Sequence, residues 1–298
     1  MSDLDRQLQK AVEAGDLPGV QAALVAGADV NFNKGLPLQL AAKDDAVGIM
    51  LCLLAAGADV HADEEYALRW AAKNGHMRAV KYLLDAGADL HTDGNSALVN
   101  AAENGHTEVV ELLLGAGADI DAREGLALQR AAANGHPLTV QCLLAAGANI
   151  HADDDLALRW AAEYGQLAVV QCLLAAGADV HAYDDQVLQL AYENDYTEIF
   201  QCLLWAGGNV PPEVDADFQI TACALGDPAQ VSAAALARQG VCPEALCFLL
   251  KRQGHADLAA LAQSTRCLEP LTAEERADLL AALLCDKVVT EVVHGKAR

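Results

Sequence analysis

The chain has 298 residues, of which 19 are Lys or Arg and 42 are Asp or Glu, for a formal net charge of −23 at pH 7. With 53% hydrophobic residues it is too apolar for a disordered acidic tail, and with 4% aromatics its core must come from Leu, Val and Ala. Such a charge repels phosphate, which argues against nucleic acid and anionic membrane surfaces as partners. No run approaches the ~18 uninterrupted apolar residues of a spanning helix, and the opening MSDLDRQLQK lacks the apolar stretch of a secretory signal. The cysteines number 9, an odd count. Without a signal they are expected as reduced thiols in a cytoplasmic protein.

Taken in chain order, Leu8, Ala11, Leu24 and Gly27 open a set of columns that recurs every thirty residues. Residues 1–25 are expected to be an N-terminal capping half-repeat. From 26 to 210 the frame runs through six units of thirty residues without an insertion. Leu holds positions 38, 68, 98, 128, 158 and 188, and Ala holds 41, 71, 101, 131, 161 and 191. Leu-Leu pairs at 53–54 through 203–204 and Gly at 57 through 207 keep the same spacing.

Each unit predicts two helices. In the unit 56–85, Leu68, Ala71 and Ala72 fall at i, i+3 and i+4, one apolar stripe, and the alanines let a partner helix approach closely. Asn74-Gly75-His76 breaks the helix, with Asn a C-cap and Gly free to take positive φ. Val80, Leu83 and Leu84 repeat the stripe in a second helix, which Gly87 ends. One helix pair cannot bury its apolar faces alone, so the pairs must stack.

The segment YALRWAAKNGHMRAVKYLLDAGADLH (66–91) resembles the ankyrin-repeat pattern of TPLHxAA, xxGH, VVxxLL and GADxN. The resemblance covers residues 1 to about 210. It implies an all-α, ankyrin-type α-solenoid of stacked helix pairs, whose finger tips and first helices line a concave groove that binds a partner protein. This chain departs from the pattern. From Asp59 to Leu68 is three residues fewer than usual, so the finger loops are expected to be shortened. Most units also lack the Thr and His of TPLH, with Tyr66, Ser96, Leu126 and Leu156 at the first place and Arg69, Val99, Gln129 and Arg159 at the second.

After Val210 the columns fail at Pro211-Pro212. Residues 211–298 predict degenerate helical repeats forming a C-terminal cap, with helices over 217–225, 228–238, 243–253, 256–264 and 272–285. The last opens with a capping-box pattern, Thr272 with Glu275. The other reading is a separate small domain, making the chain a targeting subunit or a cryptic enzyme with its activity in this segment.

Candidate sites are weighed against packing roles. Cys52, Cys142, Cys172 and Cys202 share one column and predict core thiols, because stacked units roughly 10 Å apart cannot form disulfides. Cys242, Cys247, His255 and Cys267 have zinc-ligand chemistry without zinc-ligand spacing, so no metal and no cofactor is expected. His76, His106 and His136 follow the turn glycine and read as structural. His61, His91, His151 and His181 read as turn hydrogen-bonding residues. Asp63-Glu64-Glu65, Asp153-Asp154-Asp155 and Asp184-Asp185 precede helix starts, as caps or as an acidic rim facing a basic partner. Trp70 and Trp160 share a column that reads mostly as core, yet Asn100 and Arg130 stand in it as well. No catalytic motif is found. The expected function is therefore a monomeric, non-enzymatic scaffold or adaptor that binds a partner protein with a basic surface. Specificity should lie where the units differ, at Tyr66, Arg69, Lys73, Ser96, Asn100, Glu103, Arg130, Asp154, Arg159, Glu163 and Tyr164.

Overall fold

The computed structural model describes residues 2–183, 186–211 and 214. The five helices expected after 216, and Cys242, Cys247, His255 and Cys267, lie outside the described residues. The chain divides into two compact units, Met1–Ala152 and Asp153–Arg298. The regular structure among the described residues is entirely helical.

The first unit holds α1 (Asp3–Glu13), α2 (Leu17–Val25), α3 (Phe32–Lys43), α4 (Val47–Ala55), α5 (Ala62–Lys73), α6 (Met77–Asp85), α7 (Thr92–Glu103), α8 (Thr107–Gly115), α9 (Ala122–Ala133) and α10 (Pro137–Ala145). Odd-numbered helices pack on one another in chain order to make one row, even-numbered helices make a second, and each odd helix packs on the even helix that follows. Residues 1–25, expected as a half-repeat, contain both helices of a pair. Ser2 and Asp5 start α1 with a reciprocal capping box, the Ser2 amide donating to Asp5 at 2.6 Å and the Asp5 amide to Ser2 Oγ at 3.1 Å. The second unit holds α11 (Leu156–Glu163), α12 (Leu167–Ala175), α13 (Gln186–Glu193) and α14 (Thr197–Trp205). Here too α11 packs on α13 and α12 on α14.

The Leu column is the floor of the core. Leu38, Leu68, Leu98 and Leu128 are each 1% exposed, and the paired alanines behind them are equally closed. In the second helices the sealed positions are Val80 and Leu83 and their equivalents, whereas Leu84, Leu114 and Leu144 are half-buried. Cys52, Cys142, Cys172 and Cys202, expected in the core, are also only half-buried, and none is in a disulfide. They sit directly before the sealed Leu on the helix flank. Partial burial still pushes the Cys142 and Cys202 thiols above their ordinary value.

Both helices of a unit end in the same way. After α5 the Gly75 amide bonds Ala72 O and the His76 amide bonds Ala71 O, the paired bonds of a Schellman motif. After α6, Gly87 to Leu84 O and Ala88 to Leu83 O repeat it. Gly75 is required twice over. Its φ is +75°, and a Cβ there would lie 2.6 Å from Nδ1 of His106 in the following unit. That ring seats on the glycine while its Nε2 donates to Lys73 O at 2.9 Å. His76 on Lys43 O and His136 on Glu103 O make the same tie, so the turn histidines join consecutive pairs.

The finger differs most from expectation. Asp63, Glu64 and Glu65 have φ of 53°, 57° and 60°, so the shortened finger is one left-handed turn. The same turn occurs at 33–35, 93–95, 123–125 and 153–155. The clusters at 63–65 and 153–155 therefore do not cap the helices, since neither α5 nor α11 has a side-chain cap bond; Asp184-Asp185 lies outside the described residues. The left-handed region costs roughly 1–2 kcal/mol per residue outside Gly, Asn and Asp, so something must hold it.

The third residue of the turn supplies much of that hold. Asn95 and Asp155 are buried, and each Oδ1 accepts the amide of the residue that opens the next connection: Asp119 at 3.0 Å and Asp179 at 2.9 Å. Asp5, in the same column but inside α1, accepts the Asp29 amide at 3.2 Å. Where that third residue is Gly35 or Gly125, the bond comes from four residues earlier. Asn31 Oδ1 accepts from Asp59 at 2.7 Å, and Asp121 Oδ1 accepts from Asn149 at 2.9 Å. Histidine stands at that earlier place in the units whose third residue is polar. The turn bond expected of these histidines is made by their backbone: the amides of His61, His91, His151 and His181 donate to the side chain two residues before.

Glu65 uses its extra length differently. Its Oε1 lies 2.5 Å from Nδ1 of His61, and its Oε2 is buried with no hydrogen-bond partner. The hydrogen bond and charge of Glu65 raise the His61 pKa above 6.5. A His pKa raised on folding contributes stability that is fully present below about pH 6.5 and is lost as pH rises through the folded value. Two results are expected. An NMR titration places His61 above the ordinary histidine value, and Glu65→Gln returns it toward that value. The stability difference between wild type and variant shrinks as pH is raised past 7, and a difference that grows instead contradicts the pairing.

Candidate functional site

The first helices bury one side and leave another open. In α5, Ala67, Leu68, Ala71 and Ala72 are buried, whereas Tyr66, Arg69 and Trp70 are half-exposed and Lys73 is exposed. Tyr66, Trp70 and Lys73 follow one another at i, i+4 and i+7, which puts them in line along the helix. Ser96, Asn100 and Glu103 occupy these places in α7, Leu126, Arg130 and Ala133 in α9, and Leu156, Trp160 and Glu163 in α11.

Trp70, expected mostly in the core, is the centre of a surface cluster. Its ring lies 5.6 Å from that of Tyr66, centroid to centroid, with the planes tilted by 39°. The ammonium of Lys73 stands 5.3 Å from the Trp70 centroid and that of Lys43, at the end of α3, stands 5.5 Å from it. The Arg69 guanidinium sits 5.5 Å over Tyr66 and donates through Nη2 to Asp63 O at 2.9 Å. Cation–π contacts of this exposed kind contribute about 0.5–1 kcal/mol each. Neither Lys43 nor Lys73 has an ion pair among the described residues, whereas the finger cations do. Lys34 meets Asp63 at 2.9 Å, which raises the lysine pKa, and Arg123 pairs with Asp93.

The sequence-chosen residues thus fall into several groups. Tyr66, Arg69 and Lys73 come together around Trp70. Asn100 and Glu103 are half-buried and Arg130 is exposed, on the same row of helices in the first unit. Ser96 is 8% exposed and donates to Thr92 O at 3.5 Å; its short side chain reaches less far out than Tyr66, Leu126 and Leu156, which are half-buried in the same column after the same turn. In the second unit Asp154 is exposed at φ 52°, Glu163 is half-buried, and Tyr164 at the end of α11 is 53% exposed. Arg159 stacks 3.8 Å over the Tyr183 ring. Sequence reasoning missed Lys43. Its column holds Lys73, Glu103 and Glu163, so the variable, charged character of the place was the available signal.

No group of three or more His, Cys, Asp or Glu fit to hold a metal ion occurs among the described residues. Nor is any described helix long and apolar enough to cross a membrane.

Stacked helix pairs, glycine-ended helices and an open first-helix face define a helical repeat protein. The chain belongs to the ankyrin-repeat family, whose model, described as ankyrin repeats (3 copies), matches residues 8–91, 38–124 and 128–213. The fold is similar to the crystal structure of the human ASB11 ankyrin repeat domain, which is 26% identical, at a TM-score of 0.62 over 68% of this chain and 99% of that one. No curated protein sequence matches the chain. Ankyrin repeats are in general non-enzymatic protein–protein interaction modules.

Proposed function

We propose that this chain is a monomeric, non-enzymatic adaptor or scaffold of the cytoplasm that binds a partner protein through the open face of its first helices. The observation that carries the reading is the Trp70 cluster. A half-exposed tryptophan, lined with tyrosine and two lysines, contributes little to the core and has the composition of a binding hot spot, in which Trp, Tyr and Arg are over-represented. The columns that hold the scaffold are near-invariant, so selectivity belongs to the residues that vary along this face. The net charge of −23 adds a long-range term that speeds encounter with a partner whose surface is basic overall.

The test is affinity capture from cytosolic extract, comparing wild type with a Tyr66/Arg69/Arg130/Arg159→Ala variant that circular dichroism shows to be folded. A partner retained by wild type and lost by the variant is the expected result, with capture weakening as salt is raised from low to high. Equal retention by both proteins, with no salt dependence, contradicts it.

A further inference from the structure

We infer that the segment docking on Lys43, Trp70 and Lys73 is acidic: an extended stretch of the partner whose carboxylates meet the two ammonium groups while an apolar side chain packs on Tyr66 and Trp70. The inference rests on the first-helix face being the binding face and names the chemistry of its occupant.

Several cations of this acidic chain stand without an ion pair among the described residues, Lys10, Arg78 and Lys81 among them. Lys43 and Lys73, also without one, are set apart because they converge on one ring. Their distances to its centroid put the two ammoniums no more than about 11 Å apart, where like charges repel weakly in water. The ring face attracts each cation but neutralises neither. An anion that reaches both relieves the repulsion and gains two charge-assisted hydrogen bonds.

The occupant's shape follows from the spacing. Alternate side chains on an extended segment are about 7 Å apart on one face, which fits two carboxylates meeting two ammoniums within that limit. Tyr66 and Trp70, with their rings 5.6 Å apart, provide the adjacent apolar surface. Asp44, the C-cap residue that follows Lys43, and Glu103, in the Lys73 column one unit further on, are acidic. They bound the cationic stretch on either side and disfavour a longer acidic run. This local preference is compatible with a partner that is basic overall. The net charge acts at long range and is screened beyond about 8 Å in physiological salt, whereas the two lysines act at contact.

The experiment selects a display library of random twelve-residue peptides on the full-length protein at physiological salt, in parallel with Lys43→Gln/Lys73→Gln, Trp70→Ala and the control Lys81→Gln, which changes an exposed lysine of α6. Enrichment of Asp and Glu at alternate positions beside an apolar residue is expected on wild type and on the control. An enriched peptide, labelled for fluorescence anisotropy, should bind the double lysine variant roughly tenfold more weakly. Enriched peptides that are basic or without charge preference, yet lost with Trp70→Ala, overturn the acidic occupant and leave the binding face standing. Peptides that bind all four proteins alike overturn both.

Discussion

Leu98→Ala is expected to lower the unfolding free energy of the full-length protein by about 2–5 kcal/mol. Leu98 lies in the middle of the first unit, is 1% exposed, and sits on α7, which packs against α5, α8 and α9. Removing its branch leaves a cavity that the neighbours cannot fill. Ala101 and Ala102 behind it are too short to move in, and both ends of α7 are tied to adjacent pairs. At its start Asn95 accepts the Asp119 amide, and at its end Glu103 O accepts the His136 ring. Leu138→Ala, at a site 70% exposed on α10, should stay within about 0.5 kcal/mol of wild type. Urea denaturation followed by circular dichroism measures both. Because each pair contacts only its neighbours, hydrogen exchange should locate the weakening in α5–α9 rather than uniformly. Equal losses for the two substitutions contradict this account of the core.

The second large effect concerns the finger. Asn95→Ala strands the Asp119 amide and forces a Cβ residue without a local hydrogen bond to keep φ near +60°, for an expected loss of about 1–3 kcal/mol. The units with Gly35 and Gly125 show how the chain makes the same link by another route. The double substitution His91→Asn/Asn95→Gly copies the Asn31/Gly35 arrangement into the third unit, and it is expected to recover most of that loss. Denaturation midpoints of wild type, His91→Asn, Asn95→Gly and the double variant form the cycle. Strictly additive effects contradict the exchange of roles between the two positions.

Much of the architecture was legible in the residues. The thirty-residue recurrence, the i, i+3, i+4 stripe of Leu68, Ala71 and Ala72, and the glycines at 75 and 87 specified two helices per unit and where each stops. The finger was less legible. Asp63-Glu64-Glu65 looks like a capping cluster because carboxylates favour helix starts. Its left-handed turn is imposed by the shortness of the connection and held by side-chain bonds, Glu65 to His61 and Asp63 to Lys34 of the preceding unit. The burial of Ser96 was not legible from the variation of its column, because the small side chain stays beneath the surface that Tyr66 reaches in the same place.

The binding face was half legible. Variation along the columns singled out Tyr66, Arg69 and Lys73, and Asn100 with Arg130 marked the Trp column as open. That column was nevertheless read as mostly core, because a tryptophan at helical spacing is more often buried than not. Lys43 escaped notice because it lies twenty-seven residues before Trp70 and meets it only when α3 and α5 pack side by side.

The sequence by itself therefore determined the elements of this protein: helix pairs of thirty residues, their buried Leu and Ala columns, and their glycine-ended turns. All of these follow from spacing and backbone preference within a few residues. Tertiary structure alone decided which amide Asn95 holds, which carbonyl His106 reaches, and that two lysines converge on one tryptophan. Each of these joins groups more than twenty residues apart, and no local preference sets a distance that exists only once one helix pair has stacked upon the next.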